Sequence, residues 1–151
     1  MILDTVEEIP RELLNPSRRN IGRIGENLAA YYLERAGINC TIVDRKGSDI
    51  WCAMPNGKMF RIEVKTTLNE RYFTPKDKPY GKLSCFFTVQ NKTSDQYMFI
   101  NLKRRLFVIK NRAELTESGM TVIKCSEFTQ EKMQESLDKL YKHYANPLRE
   151  Y

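Results

Sequence analysis

Gly47-Ser48-Asp49-Ile50-Trp51-Cys52-Ala53-Met54-Pro55-Asn56-Gly57-Lys58-Met59-Phe60-Arg61-Ile62-Glu63-Val64-Lys65-Thr66-Thr67 is the stretch on which the reading of the chain turns. From Met59 to Lys65 it alternates strictly. Phe60, Ile62 and Val64 fall on one side of a strand, and Arg61, Glu63 and Lys65 on the other, because strand side chains have a period of two. Pro-Asn-Gly-Lys in the middle is a hairpin signal. A two-residue Asn56-Gly57 loop would pair Asp49 with Val64 and bury a carboxylate on the apolar face. A three-residue or bulged loop would set Asp49 opposite Glu63 and bring Ile50, Cys52 and Met54 beside Phe60, Ile62 and Val64. The second register is expected, since it satisfies the hydrophobic pattern.

That register gathers two carboxylates, Asp49 and Glu63, and the Lys65 ammonium around one point. Two hard oxygen ligands with room for water and phosphate suit Mg2+, with Mn2+ as a substitute. Such an ion lowers the pKa of a bound water and neutralises charge on a phosphodiester. Lys65 beside it is suited to orienting the nucleophile or stabilising developing charge. The chemistry indicated is phosphodiester hydrolysis. Asp44-Arg45-Lys46 has the same carboxylate–lysine spacing, but it lies in a polar run without flanking apolar alternation.

The order of a helical glutamate, Glu26, then Asp49, then Glu63-Val64-Lys65 on the next strand resembles the PD-(D/E)xK nuclease superfamily. With Gly22-Arg23-Ile24-Gly25-Glu26 it is similar to archaeal-type Holliday junction resolvases and related phage and restriction-like endonucleases. The likeness covers residues 18 to 68, and Ser48 stands where the family often has proline. It implies an α/β, restriction-endonuclease-like core: a central mixed β-sheet flanked by helices. Carried over, it makes Asp49 and Glu63 metal ligands, the Val64 carbonyl a further ligand, Lys65 the catalytic lysine and Glu26 an outer carboxylate of the site.

The chain has 151 residues and a formal net charge of +6, with a pI near 9.2. That is one domain's worth of sequence, long enough for an ordinary core. A basic balance suits a polyanionic partner, and clustering of the charge is more telling than its total. Basic residues crowd 18–23, 71–82 and 103–112. Cys40, Cys52, Cys85 and Cys125 are widely spaced, with no Cys-x-x-Cys pair and one histidine, His143. The pattern argues against zinc and for reduced thiols in a cytosol-like compartment, the host cytoplasm if the source is a phage. The acidic N-terminus does not read as a signal peptide, and no stretch approaches a membrane-spanning length.

In order, residues 1–16 read as an N-terminal arm or short helix, or as a loose tail, and 17–151 as a single nuclease-like domain. A helix capped by Ser17 should run to about Ala36 and stop at Gly37. Its apolar stripe puts Glu26 roughly 100° from the stripe centre, at the edge of the buried face. From there Glu26 either looks into a cleft or pairs with Arg23 on the surface. Gly22 and Gly25 weaken the helix and suit close approach of sheet or DNA backbone. Residues 38–43 form a first strand, followed by the hairpin. Trp51 falls on the charged side, where it packs under the helix or meets nucleic acid.

Residues 68–82 read as a long basic and aromatic loop, whose cations suit phosphates and whose Tyr72, Phe73 and Tyr80 suit stacking on unpaired bases. The candidate nucleic-acid contacts are Arg18, Arg19, Arg23, Arg71, Tyr72, Lys76, Lys78 and Lys82. Residues 83–90 suggest a short strand. Residues 97–102 and 106–109 form a hairpin completing a mixed sheet, 111–118 a short capped helix and 121–124 an edge strand. Residues 129–144 form an amphipathic helix that packs on the sheet.

The sequence thus reads first as a Mg2+-dependent endonuclease acting on branched or duplex DNA, best suited as a homodimer to place two sites on two strands. A restriction-like enzyme reading a duplex sequence stands second. A catalytically silent binding module on a nuclease fold stands third.

Overall fold

The computed structural model describes residues 18–45, 48–73, 81–90, 92–116 and 118–145. The arm at 1–16 and the Ser17 cap lie outside them. Helix α1 (Arg18–Arg35) ends as its sequence dictates. Gly37 takes φ +90°, and Ile38 N donates to the Leu33 carbonyl at 2.9 Å, so a glycine in the left-handed region closes the last turn. Strands β1 (Asn39–Arg45), β2 (Ser48–Ala53) and β3 (Met59–Thr67) follow, then a short β4 (Arg71–Phe73), β5 (Lys82–Thr88), β6 (Gln96–Asn101), β7 (Leu106–Asn111) and β8 (Met120–Lys124). Helix α2 (Gln130–Tyr144) closes the order, with the Thr129 hydroxyl accepting from Lys132 N at its start.

The main sheet has five strands in the order β1-β2-β3-β6-β7. It is mixed as expected: β3 and β6 run parallel, and the other neighbours are antiparallel. All of β6 is buried, as a central strand covered on both faces must be. One face carries Ile50, Cys52, Phe60, Ile62, Val64, Met98, Ile100 and Phe107 and packs against α1 and α2. Phe60 stacks on Tyr144 of α2 with ring centroids 4.3 Å apart. Tyr141 hydroxyl donates to the Ala36 carbonyl, joining the ends of the two helices.

Among the described residues the other face is covered by a second sheet, in the order β4-β5-β8, and not by helix. Cys85, Phe87 and Ile123 from it pack on Tyr97 and Phe99 of β6, with the Phe87 and Phe99 rings 5.0 Å apart. Part of the expected loop at 68–82 is therefore strand, since β4 and the start of β5 pair with each other. The expected helix at 111–118 is a single 3-10 turn, Arg112–Glu114, with a capping box from Asn111 and Glu114. No helix among the described residues is long and apolar enough to cross a membrane.

Candidate active site

The hairpin fixes the site. Met54 N donates to the Lys58 carbonyl and Gly57 N to the Met54 carbonyl, each at 2.8 Å, leaving a loop of Pro55, Asn56 and Gly57 with Gly57 at φ +89°. Ile50 then pairs with Ile62 and Cys52 with Phe60. This is the register in which Asp49 stands opposite Glu63. Across the gap Asp49 Oδ2 accepts the backbone N–H of Val64 at 2.8 Å. The loop itself is tied to the far end of the chain, since Asn56 Nδ2 donates to the Tyr144 carbonyl at 2.7 Å.

Asp49, Glu63 and Lys65 share the face turned towards the second sheet. Lys65 Nζ lies 3.3 Å from Glu63 Oε2. Glu63 is 8 % exposed, and among the described residues its buried Oε2 has the Lys65 ammonium beside it but no well-aligned hydrogen bond. Burial pushes the Glu63 carboxyl above its ordinary range, the nearby Lys65 ammonium opposes the shift, and the Asp49 charge adds to it. A buried carboxylate oxygen without a hydrogen bond, near a second carboxylate, is what a hard divalent cation would satisfy. Mg2+ or Mn2+ fits this donor set. Val64, between the two charged residues, commits its N–H to Asp49.

Glu26 is half-buried on α1, in the layer on the opposite side of the sheet. Its neighbour Gly25 is pressed onto β3: a Cβ at Gly25 would fall 1.7 Å from Thr66 Oγ1. The glycine expected to permit close approach does so towards the sheet. Gly22 meets nothing within 4 Å. Trp51 does not pack under the helix; it is 41 % exposed on the site's side, with the Arg61 guanidinium 5.8 Å from its ring. The reason is register, because Trp51 pairs with Arg61 and so faces away from α1.

Of the expected nucleic-acid contacts, Arg23 is exposed on α1, and Arg71, Tyr72 and Lys82 are exposed on β4 and β5. Arg18 and Arg19 open α1. Lys76 and Lys78 lie outside the described residues.

A second cluster has no signature in the sequence. Glu70, Cys85 and Cys125 bring one carboxylate oxygen and two sulfurs within 4.8 Å of one another, a candidate donor set that the wide cysteine spacing concealed. The pairing of β5 with β8 is what unites the two thiols. In this cluster Glu70 Oε2 accepts from Arg104 Nε and from Asn101 Nδ2, each at 2.6 Å, and Lys103 Nζ lies 3.7 Å from Oε1. Arg104 holds the Glu70 carboxyl down at about 2, against opposition from its burial. Burial pushes the Cys85 thiol up to about 12 and raises that of Cys125. The hydrogen bonds and ion pairs of Glu70 tie the start of β4 to the end of β6 and the turn after it.

No protein-family model matches the chain, and no curated protein matches it in sequence. Its fold is similar to that of a solved bacterial homing endonuclease, I-Ssp6803I, with a TM-score of 0.55 and 10 % identity over 83 % of this chain and 98 % of that one. The likeness is one of fold: an α/β architecture built on a mixed sheet is shared in outline with that protein.

Proposed function

We propose that the protein is a metal-dependent DNA endonuclease of the PD-(D/E)xK type that hydrolyses phosphodiester bonds in branched DNA, in the manner of a Holliday junction resolvase. The observation that carries this reading is the convergence of Asp49, Glu63 and Lys65 on one sheet face, with a buried Glu63 oxygen left without a hydrogen bond. Asp49 and Glu63 would hold Mg2+, or Mn2+ in its place, with the Val64 carbonyl completing the set; Glu26, carried on the helix layer across the sheet, is left out of it. The ion supplies an activated water and charge neutralisation at the phosphate. Lys65, a third exposed, orients the attacking water and stabilises charge on the scissile phosphate. The Asp49–Val64 hydrogen bond fixes one carboxylate before substrate arrives. Arg18, Arg19, Arg23, Arg71, Tyr72, Lys76, Lys78 and Lys82 form the DNA-binding surface. Two copies related by a two-fold axis would cut two strands, and the enzyme would work in the cytoplasm, that of the host if the source is a phage.

The likeness to a homing endonuclease favours a second version, in which the same site cuts linear duplex at chosen sequences. The two differ in readout: shape is sensed through phosphates, sequence through base edges. Cleavage in Mg2+ of labelled four-way junction, nicked duplex, linear duplex and single-stranded DNA, with Glu63→Gln as control, separates them. Paired cuts on the junction alone support the resolvase. Cuts at fixed sites in linear duplex support the second version. DNA binding without any cleavage in Mg2+ or Mn2+ overturns both and leaves a silent binding module.

A further inference from the structure

The outward face of the second sheet has a composition that its role as a cover does not require. Its inward residues fill the core over β6, and cross-strand partners share a face. By that register Arg71 and Lys124 lie in one row through β5, Phe73 lies beside Lys82, and Phe86 lies beside Val122, all turned away from the main sheet. Phe73 is 41 % exposed and Val122 37 %. The Arg71 guanidinium sits 3.9 Å from the centroid of the Phe86 ring, and Phe73 meets that ring edge-on at 5.8 Å. The strands β4, β5 and β8 contain no acidic residue, while their three cations all fall on this face. Flat rings and an aliphatic side chain beside cations, on strands that carry no acidic residue, mark a binding surface.

The occupant must offer negative charge and flat apolar faces together. A duplex presents its phosphates but hides its base faces in the stack, so it would use the cations alone. A single strand offers both, and stacking on aromatic and guanidinium planes is how unpaired bases are held.

We propose that the outward face of β4-β5-β8 binds a single-stranded segment of nucleic acid, stacking bases on Phe73 and on the Arg71–Phe86 pair and seating phosphates on Lys82 and Lys124. The proposal rests on the nuclease reading only for its biological meaning, namely that the substrate carries an unpaired stretch beside the cut.

The test is fluorescence anisotropy of the full chain in EDTA with labelled oligo(dT) and with an abasic strand of equal length, alongside cleavage assays in Mg2+. Oligo(dT) is expected to bind about 10-fold or more tightly than the abasic strand. Phe73→Ala, at an exposed edge position, should erase most of that preference, as should Phe86→Leu. Lys124→Glu should weaken both strands alike. Equal affinity of the wild type for the two strands overturns the proposal, and so does a preference that survives Phe73→Ala. Sedimentation that shows Val122→Glu dissociating a dimer, with oligo(dT) binding unchanged, assigns the face to self-association and also overturns it. Cleavage without base-dependent binding removes this proposal alone. Base-dependent binding without cleavage removes the nuclease reading alone.

Discussion

Asp49 Oδ2 accepts the Val64 N–H at 2.8 Å, so one side chain both ties the two arms of the hairpin and points a carboxylate at Glu63. The two roles are separable. Asp49→Asn keeps an acceptor for the Val64 N–H but loses the charge, whereas Asp49→Ala loses both. Asp49→Asn should therefore lower cleavage by about 100-fold or more with little change in stability, while Asp49→Ala should cost a further penalty of about 1–3 kcal/mol for a buried N–H left unpaired. Thermal melts beside single-turnover cleavage check this. Normal cutting by Asp49→Asn would sink the metal-ligand assignment.

A carboxylate held in a dry place, as the proposed metal ligand Glu63 is, burdens the fold. Glu63 is buried, and its carboxyl is pushed upward mainly by that burial. Glu63→Gln is expected to abolish cleavage and yet raise stability by about 1 kcal/mol, or about 2–4 °C in Tm, when measured at neutral pH in EDTA. Added Mg2+ should narrow the gap by stabilising only the wild type.

Helix propensity and packing give opposite signs at Gly25. Alanine in a helix interior is favoured over glycine by about 1 kcal/mol. Here its Cβ would lie 1.7 Å from Thr66 Oγ1 and 2.8 Å from Thr66 Cβ. Gly25→Ala should therefore destabilise, by about 2 kcal/mol as α1 lifts from β3. Adding Thr66→Ala should recover part of the loss and not all, since the Cβ contact persists. A Gly25→Ala protein more stable than the wild type in urea would refute the close-packing account.

The Glu70 anchor carries a pH signature. Its carboxyl, normally near 4.5, is held at about 2, chiefly by Arg104. A depressed acid contributes stability that is fully present above its unfolded value and is lost as pH falls through the folded one. Arg104 and Lys103 are 40 % and 64 % exposed, so solvent screening trims the contribution. Glu70→Gln should cost about 1–2 kcal/mol at pH 7, with the difference from wild type shrinking below pH 4.5 and gone near pH 2. Urea unfolding across that range measures it.

The hairpin was legible because its information is local: one strand with strict alternation, one loop with Asn-Gly, and an apolar pattern that only one register satisfies. Asp49, Glu63 and Lys65 followed from it. The helix boundaries at Gly37 and Thr129 were legible for the same reason, as each is set by a single capping residue. The second sheet was not, because Arg71–Phe73 is too short to show a period and a stretch of basic and aromatic sequence separates it from its partner β5. The Glu70, Cys85 and Cys125 cluster needed that same sheet before the thiols could meet. Trp51 misleads through its size; a large ring suggests burial, but the register that places Asp49 correctly turns Trp51 outward.

The parallel pairing of β3 with β6 also bears on how the chain is made. The hairpin partner of β3 is synthesised just before it, but β6 begins at Gln96, and the Asn56 tether reaches to Tyr144. A nascent chain that has reached only residue 90 carries β3 with one hydrogen-bonding edge open, and such an edge invites pairing with other chains. The strand that bears Glu63 and Lys65 thus waits with one edge unpaired until β6 is made.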